Sequence, residues 1–266
     1  MTRTLRFTTF LAPSIRPMYE AVAEYVGREL GCDTTLVEGQ SFDEFADGNC
    51  DIGFICGLPY VQLMTQKPSP VELLAAPVLQ GNRYEGRPIY FSDVIVRRDS
   101  PIQTFDDLRG RSWSYNDCDS HSGYGVTRYH MVRKGQTKGY FGQVVQAGFH
   151  QESIRLVRAG EVDASAIDSQ VLAVAMRDEP ALTEELRIIE TLGPSSIQPV
   201  VAAHTLPEGL KADVRAALLR MHTDPQGRLG LSHGLVARFA PVIDEDYNDI
   251  RKMLAATEAA DFIVLR

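Results

Sequence analysis

The residues best suited to chemistry lie between Ser114 and Tyr124, where the chain reads Ser-Tyr-Asn-Asp-Cys-Asp-Ser-His-Ser-Gly-Tyr. A strand pattern ends here, a polar turn comes next, and a helical pattern opens near Ser122. Ser120 and Ser122 place hydroxyls beside backbone N–H groups that the first turn of a helix leaves unpaired. The helix start adds about half a positive charge. That combination is a cradle for an anion built without Lys or Arg. The same serines also suit ordinary N-capping, which costs about 1 kcal/mol of stability when removed and leaves ligand affinity intact.

Other candidates fall at comparable strand ends. Ser14 comes after the first strand, and Gly57-Leu-Pro-Tyr60 after a buried strand in the same series. Gly57 permits close backbone approach, Pro59 fits a helix's first turn, and Tyr60 reads as a ligand contact or as core. Tyr90 and Ser92 alternate onto one face of a strand. Asp168 ends the strand Ala164–Ile167. His121 sits between the two serines; if it faces an anion, affinity should weaken as pH rises through the histidine range.

Several chemistries have no motif. The six histidines form no HExxH pattern, and no GxSxG, Walker A loop or GxGxxG is present, so metal, hydrolase, P-loop and Rossmann readings lack support. No cofactor is expected. Four cysteines, Cys32, Cys50, Cys56 and Cys118, contain no CxxC. A strand of six residues separates Cys50 from Cys56 by about 20 Å, beyond the roughly 7 Å limit for a disulfide, so free thiols are expected.

The elements that position these residues alternate. Leu5–Leu11, Thr34–Val37 and Asp51–Cys56 read as strands, separated by a helix over Pro17–Leu30 and one capped by the Ser41-Phe-Asp-Glu44 box. Leu73–Leu79 and Arg87–Val96 are the next strands. A second series holds Arg111–Tyr115, Gln143–Ala147, Ala164–Ile167 and Leu186–Glu190, with helices over 122–132, 150–158 and 169–177. Thr191–Pro199 reads as a turn-rich connector. Helices are expected over Leu210–Met221, Leu229–Phe239 and Asp244–Ala260. The fold class is α/β, in two lobes, each a mainly parallel sheet flanked by helices. Lobe one is expected over 1–91 and 200–266 and lobe two over 92–199, with a hinge near 92–94 and 199–202.

Lys and Arg number 27 against 35 Asp and Glu, a net charge of −8 over 266 residues. With no basic run, nucleic-acid binding is not expected. No stretch approaches the about 20 apolar residues that span a bilayer, and the first residues lack a signal-peptide pattern. The expected location is periplasmic, or anchored outside the membrane, if a signal has been removed, and cytoplasmic otherwise.

The Pro13/Ser14 loop with the first helix, then the segments Cys50–Tyr60, Tyr90–Pro101, Thr104–Trp113, Asn116–Gly123 and Gly160–Asp168, taken in order, resemble the type 2 periplasmic-binding-protein-like receptors of ABC transporters, specifically the phosphonate/phosphate/phosphite-binding group. The resemblance covers about residues 5–205. It implies a two-lobed receptor closing on a small oxyanion, with ligand on Ser120, His121 and Ser122, a hinge-strand tyrosine at Tyr90, and an acidic residue at Asp168. His121 stands where the family has threonine, and the tyrosine usual near Phe42 is absent. Partners implied are a small anionic solute and the membrane permease of an ABC transporter. The alternative is an enzyme on the same fold, similar to lyases or dehydratases of the futalosine route to menaquinone. A LysR-type sensor would need an N-terminal helix-turn-helix, and none is found.

Overall fold

A computed structural model describes residues 4–265. Along the chain come β1 (Leu5–Thr9), α1 (Arg16–Leu30), β2 (Thr34–Glu38), β3 (Ile52–Phe54), α2 (Gly57–Leu63), β4 (Val71–Leu79) and β5 (Ile89–Arg97). Next are β6 (Ser112–Tyr115), α3 (Val126–Arg133), β7 (Gln143–Gln146), α4 (His150–Ala159), β8 (Ala164–Asp168), α5 (Ser169–Asp178), α6 (Leu182–Glu185) and β9 (Leu186–Ser196). β10 (Val200–Ala203), α7 (Glu208–Arg220), α8 (Pro225–Ser232), β11 (Val236–Ala240) and α9 (Asn248–Ala259) complete it. The boundaries obey local chemistry. Gly31 closes α1 at φ +64°, a conformation that costs glycine little. The Ser41 box forms as read, but it caps a single 3₁₀ turn over Phe42–Phe45.

The chain divides into two compact units. One holds residues up to Ile89 and Ser196–Asn248; the other holds Tyr90–Ser195 and continues from Asp249. The first is built on a six-stranded sheet ordered β11-β4-β10-β3-β1-β2, the second on a five-stranded sheet ordered β7-β6-β8-β5-β9. β1 pairs parallel with β2 and β3, and β6 pairs parallel with β7 and β8. β10 runs antiparallel to β3 and β4, β11 antiparallel to β4, and β5 antiparallel to β8. The sheets are therefore mixed rather than mainly parallel. The antiparallel members include strands that enter from distant parts of the chain, which local periodicity does not reveal.

Three further expectations are corrected. Residues 249–265 belong to the second unit, not to the lobe that begins the chain. Phe262 and Leu265 are buried in the cluster around Trp113, Phe105 and Tyr124. An amphipathic pattern shows that a face is covered, not which core covers it. Leu229–Phe239 is not one helix: α8 ends at Ser232, Leu235 adopts φ +53°, and β11 pairs with β4. Tertiary pairing overrides a helix-compatible spacing there. Thr191–Ser196 continues β9 instead of forming a connector. β9 is an edge strand, where Pro194 needs no ladder donor.

Candidate functional site

Unit two concentrates the polar residues. β6 delivers the chain into the polar turn, and Ser120 caps the helical segment beyond it: its Oγ accepts from the Gly123 N–H at 3.2 Å. Residues His121–Gly125 form a π-turn, with the Gly125 N–H reaching the Ser120 carbonyl at 3.0 Å, before α3 begins. Such turns are uncommon and concentrate at functional sites. Ser120, His121 and Ser122 are all buried.

Side chains fix the turn from three directions. Ser92 on β5 donates its hydroxyl proton to the Ser122 carbonyl at 2.8 Å. His121 Nε2 meets Ser195 Oγ on β9 at 2.9 Å. Ser122 Oγ meets His150 Nε2, at the start of α4, at 2.9 Å, and lies 3.3 Å from Ser120 Oγ. Burial drives the pKa of His121 down to about 4 and that of His150 down to about 3, so both rings are neutral near pH 7.

The surroundings of His150 decide its tautomer. Its Nδ1 is buried with no partner. A proton there would be an unsatisfied buried donor, whereas an unfilled lone pair is the cheaper state. Nε2 therefore carries the proton and donates to Ser122 Oγ. This frees the Ser122 hydroxyl proton to donate to Ser120 Oγ or to an incoming anion. His150 carries no motif that marks it as a site residue in the sequence, although it opens a helix whose start lies beside the turn.

Several expected ligand residues have other work. His121 is buried with its Nε2 against Ser195 Oγ, and burial holds its pKa at about 4, so the ring does not face open solvent as the expected pH dependence required. The Ser92 proton is used by Ser122. Asp168 Oδ1 caps α5, accepting from the Gln170 N–H at 2.8 Å and the Val171 N–H at 3.4 Å. Its β8 position still faces Ser92 directly across the β5–β8 ladder. Tyr90, the expected hinge-strand contact, is buried two residues before Ser92 on β5.

Ser14, Gly57 and Tyr60 lie in unit one. Ser14 is in a 3₁₀ turn after β1, and Gly57 is the first residue of α2. Tyr60 is 1% exposed; its hydroxyl donates to Asp244 Oδ1 at 2.6 Å and its ring lies 4.7 Å from that of Tyr247. That is a core placement. Cys32, Cys50, Cys56 and Cys118 are all free, with burial pushing Cys50 up to about 12.

Two other groupings in unit two are less suited to an anion. A surface recess is lined by Arg97, Arg98, Asp99, Arg158, Glu184 and Glu185, but Arg97 is paired with Asp99 and Arg158 with Glu179 and Glu185. Asp117, Cys118 and Asp119 approach within 4.8 Å of one another just ahead of Ser120. Burial first, then the Asp117 charge, raises the pKa of Asp119.

Known proteins share this architecture. The family described as the periplasmic substrate-binding protein of the phosphonate ABC transporter matches residues 7–247. Among solved structures, a binding-protein component of an ABC phosphonate transporter from Pseudomonas aeruginosa superposes with a TM-score of 0.85 at 16% identity, over 98% of this chain and 88% of that one. PhnD1 from Prochlorococcus marinus, in complex with methylphosphonate, gives 0.80 at 17% identity over 94% and 96%. The periplasmic aliphatic sulphonate-binding protein SsuA from Escherichia coli gives 0.62 at 15% over 98% and 88%. Identities this low speak for the two-lobed α/β fold, whereas the family match spans most of the sequence. Among the described residues, no helix is long and apolar enough to cross a membrane. The chain belongs to the family of periplasmic substrate-binding proteins of phosphonate ABC transporters.

Proposed function

We propose that this chain captures a small tetrahedral oxyanion of the phosphonate class for an ABC transporter, with the Ser120–Ser122 turn as its anion seat. One arrangement carries the reading: the buried Ser122 hydroxyl, which the His150 Nε2–H leaves free to donate, beside Ser120 at the start of a helical segment. These are neutral donors. Residues 114–127 contain no Lys or Arg, so this turn itself offers an anion directed hydrogen bonds and a helix start rather than a cation. The family match and the methylphosphonate complex of PhnD1 support a phosphonate over other oxyanions. Tyr90, in the same unit as the turn, remains a proposed ligand contact. The proposed partner is the transporter's membrane permease. A family defined by solute capture weighs against the enzyme reading. Calorimetric titration with methylphosphonate, phosphite, phosphate, sulfate and acetate tests the proposal. Tightest binding is expected for a tetrahedral phosphorus oxyanion. Heat from none of them, or from acetate alone, would overturn it.

A further inference from the structure

We infer that Ser195 is a positioning residue for the anion seat, acting through His121 to hold the Ser120–Gly125 turn in its binding shape. The inference rests on the reading that this turn takes the ligand, and it assigns a role to a residue far away in sequence. Ser195 is 3% exposed and lies near the end of β9, within a stretch whose Gly and Pro content gives no hint of a site. Its Oγ meets His121 Nε2 at 2.9 Å. It approaches Met253 Sδ more weakly, at 4.0 Å.

The His121 ring is trapped between that hydroxyl and backbone. A Cβ added to Gly125 would lie 3.0 Å from His121 Nδ1, so the ring packs directly on the far end of the π-turn. His121 is 1% exposed. A buried ring hydrogen-bonded at Nε2 and packed close to the Gly125 backbone on its Nδ1 side leaves its own backbone little freedom. The peptides on either side carry Ser120 and Ser122. The residue that interrupts the two serines therefore serves as an inward peg, and Ser195 is the socket. Removing the socket leaves a buried ring nitrogen without that hydroxyl, and the turn can relieve the cost by shifting.

A double-mutant cycle, with methylphosphonate and inorganic phosphate as titrants, tests the assignment. Ser195→Ala and His121→Leu are each expected to weaken binding about tenfold, and the double variant no further, because both remove one contact. His121→Gln, whose amide reaches to about the position of Nε2, should recover most of the affinity. Losses that multiply in the double variant, or variants that bind like the parent while melting lower, would make Ser195 merely structural and overturn the inference. If Ser195→Ala does not fold, His121→Leu against His121→Gln reads the same contact from the other side. A second measurement needs no ligand: amide hydrogen exchange across His121–Gly125 should quicken about tenfold in Ser195→Ala and stay unchanged in β1–β3. Unchanged exchange in the turn would overturn the positioning role. A parent protein that binds neither titrant would count against the receptor reading instead, and the exchange result would still decide this one.

Discussion

Ser92 Oγ donates to the Ser122 carbonyl at 2.8 Å, tying β5 to the centre of the serine turn. That bond separates two roles that look alike in sequence. Ser92 spends its only proton on backbone. Ser122, whose carbonyl is thereby satisfied and whose Oγ accepts from His150, keeps its own proton to give.

Ser120 and Ser122 should therefore respond differently to truncation. Ser120 Oγ caps the turn through the Gly123 N–H, so Ser120→Ala should lower stability by about 1 kcal/mol and also weaken binding. Ser122 caps nothing. Ser122→Ala should cost about 1.5–3 kcal/mol of affinity for a charged ligand, roughly 10- to 150-fold, and also about 1–3 kcal/mol of stability, because it strips the buried His150 Nε2–H of its acceptor. Calorimetry and thermal unfolding of both variants check this. An unchanged dissociation constant for Ser122→Ala would move the anion seat away from this turn.

The two buried histidines set an acid limit on stability. Both folded-state pKa values lie below the unfolded value near 6.5, at about 4 for His121 and about 3 for His150. Between those values the unfolded chain binds more protons than the folded one. Stability is therefore full above about pH 6.5 and falls as the pH drops, by about 2 kcal/mol per ring near pH 5. Urea denaturation at about pH 7 and about pH 5 measures the difference, and His150→Asn should flatten part of it. Ligand affinity, corrected for the ligand's own ionisation, should stay flat from about pH 5.5 to about 8, because neither ring titrates there. A histidine-like step in that range would contradict the buried neutral assignment.

Arg128 gives the end of the chain its place. Its Nε donates to the Phe262 carbonyl at 2.8 Å and its Nη2 to Thr257 Oγ1 at 2.9 Å, while its guanidinium lies 5.3 Å from the centre of the Tyr124 ring. Tyr124 in turn donates to the Ile263 carbonyl at 3.0 Å. Arg128→Met should cost about 2 kcal/mol of stability through the lost charged hydrogen bonds, and Arg128→Lys should not rescue it, since an ammonium lacks the fork. Limited proteolysis should then cut within 249–265 before any other segment. Cleavage rates like the parent's would show that α9 and the residues after it hold without this clasp.

How much of the fold and the turn was legible in the sequence depended on distance along the chain. Alternation and caps located β1, α1, β2 and the buried strand ending near Cys56, because those signals are local. The serine turn was visible because strand, polar residues and helix start succeed one another within a dozen residues. What escaped needed a partner from far away. β10 and β11 exist as strands because β3 and β4 pair with them. The direction of His121 is set by Ser195, 74 residues on. The commitment of Tyr60 to the core is set by Asp244, 184 residues on. A residue type announces what chemistry is possible, and only the fold says which neighbour uses it.

Gly123 supplies the last prediction. A Cβ added there would sit 1.9 Å from Asn116 Oδ1 and 3.3 Å from the Asn116 backbone nitrogen. The backbone of Asn116 is held, since its carbonyl accepts from the Gly148 N–H at 2.8 Å. Gly123→Ala must therefore displace either the Asn116 side chain or the turn itself. Overpacking of this kind costs about 1–3 kcal/mol, and here it falls on the residue directly after Ser122. Binding should weaken along with stability. Asn116 Oδ1 is buried without a hydrogen-bond partner, so Asn116→Ala alone should cost little in lost hydrogen bonding. The double variant Gly123→Ala/Asn116→Ala should then recover much of what Gly123→Ala loses, because the oxygen that met the new methyl group is gone. Titration and unfolding of the three variants decide it. Additive losses would mean that the cost of the new methyl group does not come from the approach of Asn116 Oδ1.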